Sequence, residues 1–267
     1  MKMLHIRMGI TFWIGVFLLS CMIIMAVLSL IWTPHDAFTL NEEHRLQRPN
    51  RYFWLGTDLL GRDIFSRMMV ASRTVMTLAV MTTGIAGLIG VTLALAIIVS
   101  PIFLQKILRF FIDMIMIFPT IILALVLITL LGSSIKTTMI ALAIANIPRF
   151  TRISLAAMRE LDGAEFLSVA KSLGQSPLYI VRRHLLPVLK LPILHTSVIG
   201  LASVILGEAS LSFLGLGITP PIPSWGYTLN EAKGYIFSYP YLSLAPILCI
   251  FITILSLNLI SSAFNKK

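Results

Sequence analysis

Residues 165–189 read EFLSVAKSLGQSPLYIVRRHLLPVL. The stretch is polar, basic and broken by Gly174, Pro177 and Pro187, yet an apolar run long enough to cross a bilayer lies on each side of it. A hydrocarbon core of ~30 Å needs roughly 20 helical residues, and the flanking runs meet that length. The chain is therefore expected to be a helical membrane protein, with this stretch outside the lipid.

The rest of the chain agrees. Of its 267 residues 57% are hydrophobic and 12% charged, with a mean hydropathy of +0.93. A soluble domain carries about twice that charged fraction. A membrane β-barrel would show short alternating segments instead of long apolar blocks. Spans are expected over about residues 9–32, 74–99, 107–131, 138–157, 191–216 and 242–264. This is an all-α, polytopic architecture of six transmembrane helices. We divide it into an amino-terminal span with its polar segment (1–72) and a membrane domain (73–264).

The net charge of +10 fits Lys- and Arg-rich cytoplasmic loops. No basic patch interleaved with aromatics points to nucleic acid. Lys2 and Arg7 place the amino terminus in the cytoplasm, and six spans return the carboxyl terminus there. Residues 149–190 then also face the cytoplasm, with seven cations from Arg149 to Lys190 against Glu160, Asp162 and Glu165. Residues 33–73 must face outside despite six arginines, which Asp36, Glu42, Glu43, Asp58 and Asp63 offset. Cys21 and Cys249 sit in apolar runs and read as small hydrophobes. Cys21 follows a weak lipoprotein-like box, but the apolar run continues past it, so an uncleaved first span is expected. Ala86, Gly90 and Ala94 recur every four residues in the second span, a spacing that lets helices pack closely.

Within the opening stretch, Asp162 and Glu165 form a capping pair. Phe166, Val169, Ala170 and Leu173 share a helix face. Gly174 suits a left-handed helix end. Ser176 and Pro177 restart a helix, which Pro187 ends or kinks. The result is a helical elbow with an apolar stripe. Physically it could lie on lipid headgroups or dock as a rigid knob in the groove of another protein.

The elbow resembles the cytoplasmic loop of permease subunits in binding-protein-dependent ABC importers, whose signature is Glu-Ala-Ala, three residues, Gly, and a downstream Leu-Pro. Here Ser168-Val169-Ala170, Gly174 and His184-Leu185-Leu186-Pro187 align with it; Ser168 and Val169 replace the Glu and first Ala. Three further segments resemble the dipeptide, oligopeptide and nickel permeases. They are Leu55-Gly56-Thr57-Asp58-Leu59-Leu60-Gly61-Arg62-Asp63, then Arg109 and Asp113 with Phe118-Pro119, and Ile205 to Gly217 with Pro220 to Gly226. Ser261-Ser262 departs from the usual Gly-Asp.

The resemblance implies a type I ABC importer permease fold. It also implies a second homologous permease, two ATP-binding subunits and an extracytoplasmic binding protein as partners, besides membrane lipid. The residues of ATPase coupling would be Glu165, Ser168, Val169, Ala170, Gly174, His184 and Pro187, within a coupling segment spanning 160–190. Short peptides are the first substrate class implied, chelated nickel the second.

Polar residues within the spans need partners, because a charge at the bilayer centre costs about 2.5–3.5 kcal/mol even on insertion scales. Arg109 and Asp113, four apart, are expected to pair. Glu208 has no partner in sequence; it could line the translocation path or pair with the second permease subunit, and is read as structural or gating rather than substrate-contacting. Gly56, Thr57, Asp58, Gly61, Arg62 and Asp63 read as a capped turn leading into an interfacial helix, since no strand precedes them as a phosphate loop requires. Gly132-Ser-Ser-Ile-Lys-Thr has Ile135 where a P-loop needs its second Gly, so ATP binding is not expected on this chain. The five histidines lack metal-ligand spacing. No catalytic constellation, metal or cofactor is expected. Two rivals from other classes stand beside the permease: a self-contained secondary transporter, which should show inverted repeats, and a membrane-embedded enzyme.

Overall fold

The computed structural model describes residues 9–159, 179, 183 and 186–265. The elbow residues Glu165, Ser168, Val169, Ala170, Gly174 and His184 lie outside the described residues. Among the described residues the fold is all-α; the β-pairing there is a single bridge between Thr57 and Asp63.

Eight α-helices follow one another among the described residues: α1 (Ile10–Leu28), α2 (Ile64–Val99), α3 (Ile102–Ile117), α4 (Thr120–Leu131), α5 (Ile135–Arg159), α6 (Leu186–Phe213), α7 (Trp225–Ala232) and α8 (Tyr241–Asn265). Helices α1, α2, α5, α6 and α8 are each long and apolar enough to cross a membrane, and α3 with α4 supplies a sixth span if the bent pair is one crossing.

Two details differ from expectation. The second span does not follow a separate interfacial helix: α2 runs unbroken for 36 residues from Ile64, about 54 Å at 1.5 Å per residue. Nothing in 64–73 breaks a helix, and Asp63 caps its start. The third span is not straight. It breaks at Phe118-Pro119 with a 93° bend. Pro119 has no N–H to donate and forces Phe118 into extended backbone (ψ 132°). Pro187 follows Leu186, the first described residue of α6, and the helix continues through Pro192 to Phe213; the helix expected before Pro187 lies outside the described residues.

The core forms where α2, α4, α5, α6, α7 and α8 meet, around Met68, Leu78, Leu142, Val204, Leu211, Trp225 and Leu257. Ala86 and Ala94 are fully buried and Gly90 faces α5; a Cβ on Gly90 would stand 2.8 Å from the Ile147 carbonyl oxygen. The four-residue spacing of small side chains is thus a packing seam between α2 and α5. Outward faces stay apolar: Leu88, Leu130 and Phe251 are each more than half exposed. In water such faces would be an aggregation hazard; against acyl chains they are at rest.

The helices give the bundle two ends. At one lie the loop of residues 33–63, the start of α2, the end of α6, α7 and the start of α8. At the other, α2 and α5 end, α3 lies, and α6 begins, around Ile97, Ile112, Leu155, Met158 and Leu189. There His195 of α6 meets Ser261 of α8 at 3.0 Å and stacks on Phe264.

Candidate functional site

The Gly56–Asp63 segment folds back on itself by local bonds. Gly56 and Gly61 both have positive φ (78° and 74°), a conformation in which a side chain is strained. Gly61 also lies so close to residue 41 that a Cβ would fall 1.7 Å from the Asn41 oxygen. Thr57 accepts the Gln47 N–H at 2.8 Å and donates to the His44 carbonyl. Asp58 Oδ1 accepts the N–H groups of Leu60 and Arg62, both at 2.9 Å. Asp63 caps α2, accepting the Ser66 N–H at 2.9 Å and its hydroxyl at 2.6 Å. These six residues thus form the capped turn expected of them, but it opens into a full span.

The turn also carries a charge cluster that ties it to a distant element. Arg62 Nε meets Asp58 Oδ2 at 2.6 Å, and its Nη2 meets Glu231 Oε1 at 2.9 Å. Arg67 reaches the other Glu231 oxygen at 3.0 Å and Asp58 at 3.5 Å. Burial disfavours the Arg62 charge, but the Asp58 and Glu231 carboxylates outweigh it and hold the guanidinium above its ordinary pKa. Glu231, on α7, has no signal in sequence; it lies 169 residues from Arg62. Beside the cluster, His35, His44, Phe53 and Asp63 help line a cleft of ≈ 800 Å³, with the Phe53 ring in tilted contact with both imidazoles.

Inside the membrane region, Glu208 is completely buried. The Ser212 hydroxyl donates to its Oε1 at 2.6 Å and accepts the Ile218 N–H at 2.9 Å. Its other oxygen, and Nε1 of the neighbouring buried Trp225, have no hydrogen-bond partner among the described residues. Glu208 therefore has a partner one turn along its own helix, and it sits where α6 meets the start of α7.

The expected Arg109–Asp113 pair does not form. Asp113 instead takes Arg152 of α5 at 2.7 Å, while Arg109 Nε is buried without a partner. Four-residue spacing puts Arg109 and Asp113 on one face of α3, but α5 packs against that helix and brings a guanidinium to the carboxylate. Of the coupling residues, Pro187 is described, in the first turn of α6.

Comparison with known proteins places this architecture. A chain of the MetNI methionine ABC transporter, in an inward-facing conformation, superposes with a TM-score of 0.57 at 17% identity, covering 75% of this chain and 97% of that one. A second crystal form of the same transporter gives 0.52 at 18% identity, covering 74% and 98%. The fold is that of a type I ABC importer permease.

Residues 58–267 match the family described as binding-protein-dependent transport system inner membrane component, and the chain belongs to that family. It is 32% identical over 252 residues to the dipeptide transport system permease protein DppC of Alkalihalophilus pseudofirmus, covering 94% of this chain and 83% of that protein. It is 36% identical over 247 residues to the glutathione transport system permease protein GsiD of Escherichia coli, covering 91% and 81%. The GsiD protein of Pectobacterium atrosepticum is 34% identical over 235 residues, covering 87% and 77%. The protein is thus a multi-pass inner membrane permease subunit of an ABC importer, a transport component rather than an enzyme. Family membership displaces the self-contained secondary transporter and the membrane enzyme.

Proposed function

We propose that this chain forms half of the translocation pore of an importer for short peptides. A homologous permease would supply the other half. Two ATPase subunits would dock at the 160–190 elbow through Glu165, Ser168, Val169, Ala170, Gly174 and His184, with Pro187 opening the following span. In this reading both termini and the elbow are cytoplasmic, and the 33–63 loop faces outside, towards a binding protein that delivers the substrate. ATP binding would close the ATPases and move the elbow. The spans would then rock between outward and inward openings, a rigid-body form of alternating access. Glu208 and the Asp113–Arg152 pair brace helices that have to move together; Arg109 stands beside that pair.

The observation that carries this reading is the family match, joined to relatives named for dipeptide and glutathione transport. Glutathione is itself a tripeptide, so both relatives are named for the transport of short peptides.

The test is reconstitution of the chain with the permease, ATPase and binding protein that accompany it. Uptake of labelled dipeptides into liposomes should require ATP and all partners, and Gly174→Pro should abolish both uptake and co-elution of the ATPase. Uptake by the chain alone would refute the ATPase-driven mechanism. Uptake of a nickel chelate with none of any peptide would reassign the cargo within the same mechanism.

A further inference from the structure

The end of the bundle opposite the Gly56–Asp63 turn holds a basic pocket. It opens between α3 and α5 with a volume of ≈ 430 Å³, lined by Arg109, Ile112, Asp113, Arg152, Leu155 and Ala156. Its charges do not balance. Asp113 is engaged by Arg152. Arg109 Nε is buried without a partner, and so is Nη1 of Arg149, one turn before Arg152 on α5. Lys106 lies exposed one turn before Arg109. Among the described residues no carboxylate lies within ion-pairing distance of Arg109 or Arg149. A guanidinium does not shed its charge by deprotonation, and a buried donor without an acceptor is destabilising. No anion among the described residues answers these two donors.

The surroundings say what kind of anion. α3 is amphipathic, and its other flank presents Phe103, Phe110 and Ile117 at 77%, 60% and 76% exposure. The 93° bend turns α3 sharply away from the line of α4, the disposition of a helix lying in the membrane interface. Arg152 and Ala156 line the pocket from α5, and Arg149 lies three residues before Arg152 on the same side of that helix. Phosphate-sized charge and acyl-sized apolar surface thus lie side by side. Free phosphate would use only the first.

We propose that the α3–α5 seam binds the phosphate of an anionic phospholipid headgroup, with Arg109 and Arg149 as its donors and the exposed flank of α3 against the acyl chains. Basic pockets between spans recognise anionic headgroups in this way. A zwitterionic lipid brings its own cation into a pocket that already holds several, and binds less well.

The full-length chain in detergent, incubated with phosphatidylglycerol or phosphatidylcholine and weighed by native mass spectrometry, tests this. Phosphatidylglycerol should be retained preferentially. Arg109→Gln and Arg149→Gln should each weaken its retention about fivefold, Arg149→Lys should keep most of it, and Arg48→Gln, on the far loop, should leave it unchanged. Equal retention in the Gln variants overturns the site. So does displacement by an equal concentration of inorganic phosphate, which would make the ligand a free anion. Loss of a co-expressed ATPase with lipid retention intact overturns it too, in favour of an acidic protein surface. Should the Gln variants unfold, the unaltered chain decides. Excess phosphatidylglycerol must displace a fluorescent phosphatidylglycerol analogue where phosphatidylcholine does not, and the reverse result overturns the proposal.

Discussion

Two residues show how little freedom this fold leaves at single positions. Gly61 holds φ at 74° with the Asn41 backbone packed over it. Gly61→Ala therefore combines backbone strain with a clash that only movement of the 41–46 segment can relieve. The expected loss is about 2–3 kcal/mol, read as a lower thermal unfolding midpoint of the chain in detergent. Glu208 tells a different story. Its Oε1 is held by Ser212 in a site without solvent. Glu208→Gln keeps shape and acceptor and should unfold close to the parent chain. Glu208→Ala leaves a cavity beside an unpaired hydroxyl and should lose about 2–4 kcal/mol. If Gln is as damaging as Ala, the negative charge itself is needed and a bracing role falls.

At the scale of elements, the Asp58–Arg62–Arg67–Glu231 cluster joins the turn before α2 to α7. Arg67 is almost wholly buried, so the cluster cannot simply dissolve into water when one member goes. Removing a partner from a buried ion pair costs about 3–5 kcal/mol. Glu231 is partly exposed, with 21% of its side chain accessible, which lowers the expectation for Glu231→Gln to about 2–3 kcal/mol. A double-mutant cycle with Arg62→Gln should return a coupling of about 1–3 kcal/mol. Additive losses would mean that α7 and the turn are held by packing alone. The same scale explains the broken third span. Hydropathy reads residues 107–131 as one block, because it registers apolarity and not direction. The dipeptide Phe118-Pro119 supplies the break, where the two helices diverge by 93°.

For the molecule as a whole, the alternation of helix ends implies which residues share a side of the membrane. Leu40 belongs to the end bearing the charge cluster, Lys106 to the opposite one. In a chain with Cys21 and Cys249 replaced by Ser, Leu40→Cys should react with a membrane-impermeant maleimide in intact cells. Lys106→Cys should react only after permeabilisation. The reverse pattern would invert the topology and move the elbow away from any cytoplasmic ATPase. The six arginines of residues 33–73 run against the positive-inside rule, which counts Lys and Arg. Their structure softens the conflict: Arg62 and Arg67 are buried in ion pairs, and Arg45 donates to the Leu59 carbonyl at 2.8 Å.

The all-α class and the number of apolar blocks were legible in the sequence, because each depends on neighbours within a turn or two. Asp63 before Ile64 and Pro119 after Phe118 also act through bonds a few residues long, but the apolar block around Pro119 hid the break it makes. The motif from Gly56 to Asp63 was legible as a turn for the same reason. Its role as an anchor was not, since Glu231 enters from 164 and 169 residues away. Arg152 displaced Arg109 at Asp113 from 39 residues away. Electrostatic partners are chosen by distance in space. Local sequence offers a helix several candidates, and only the packing of α5 on α3, and of α7 on α2, decides which carboxylate each guanidinium meets.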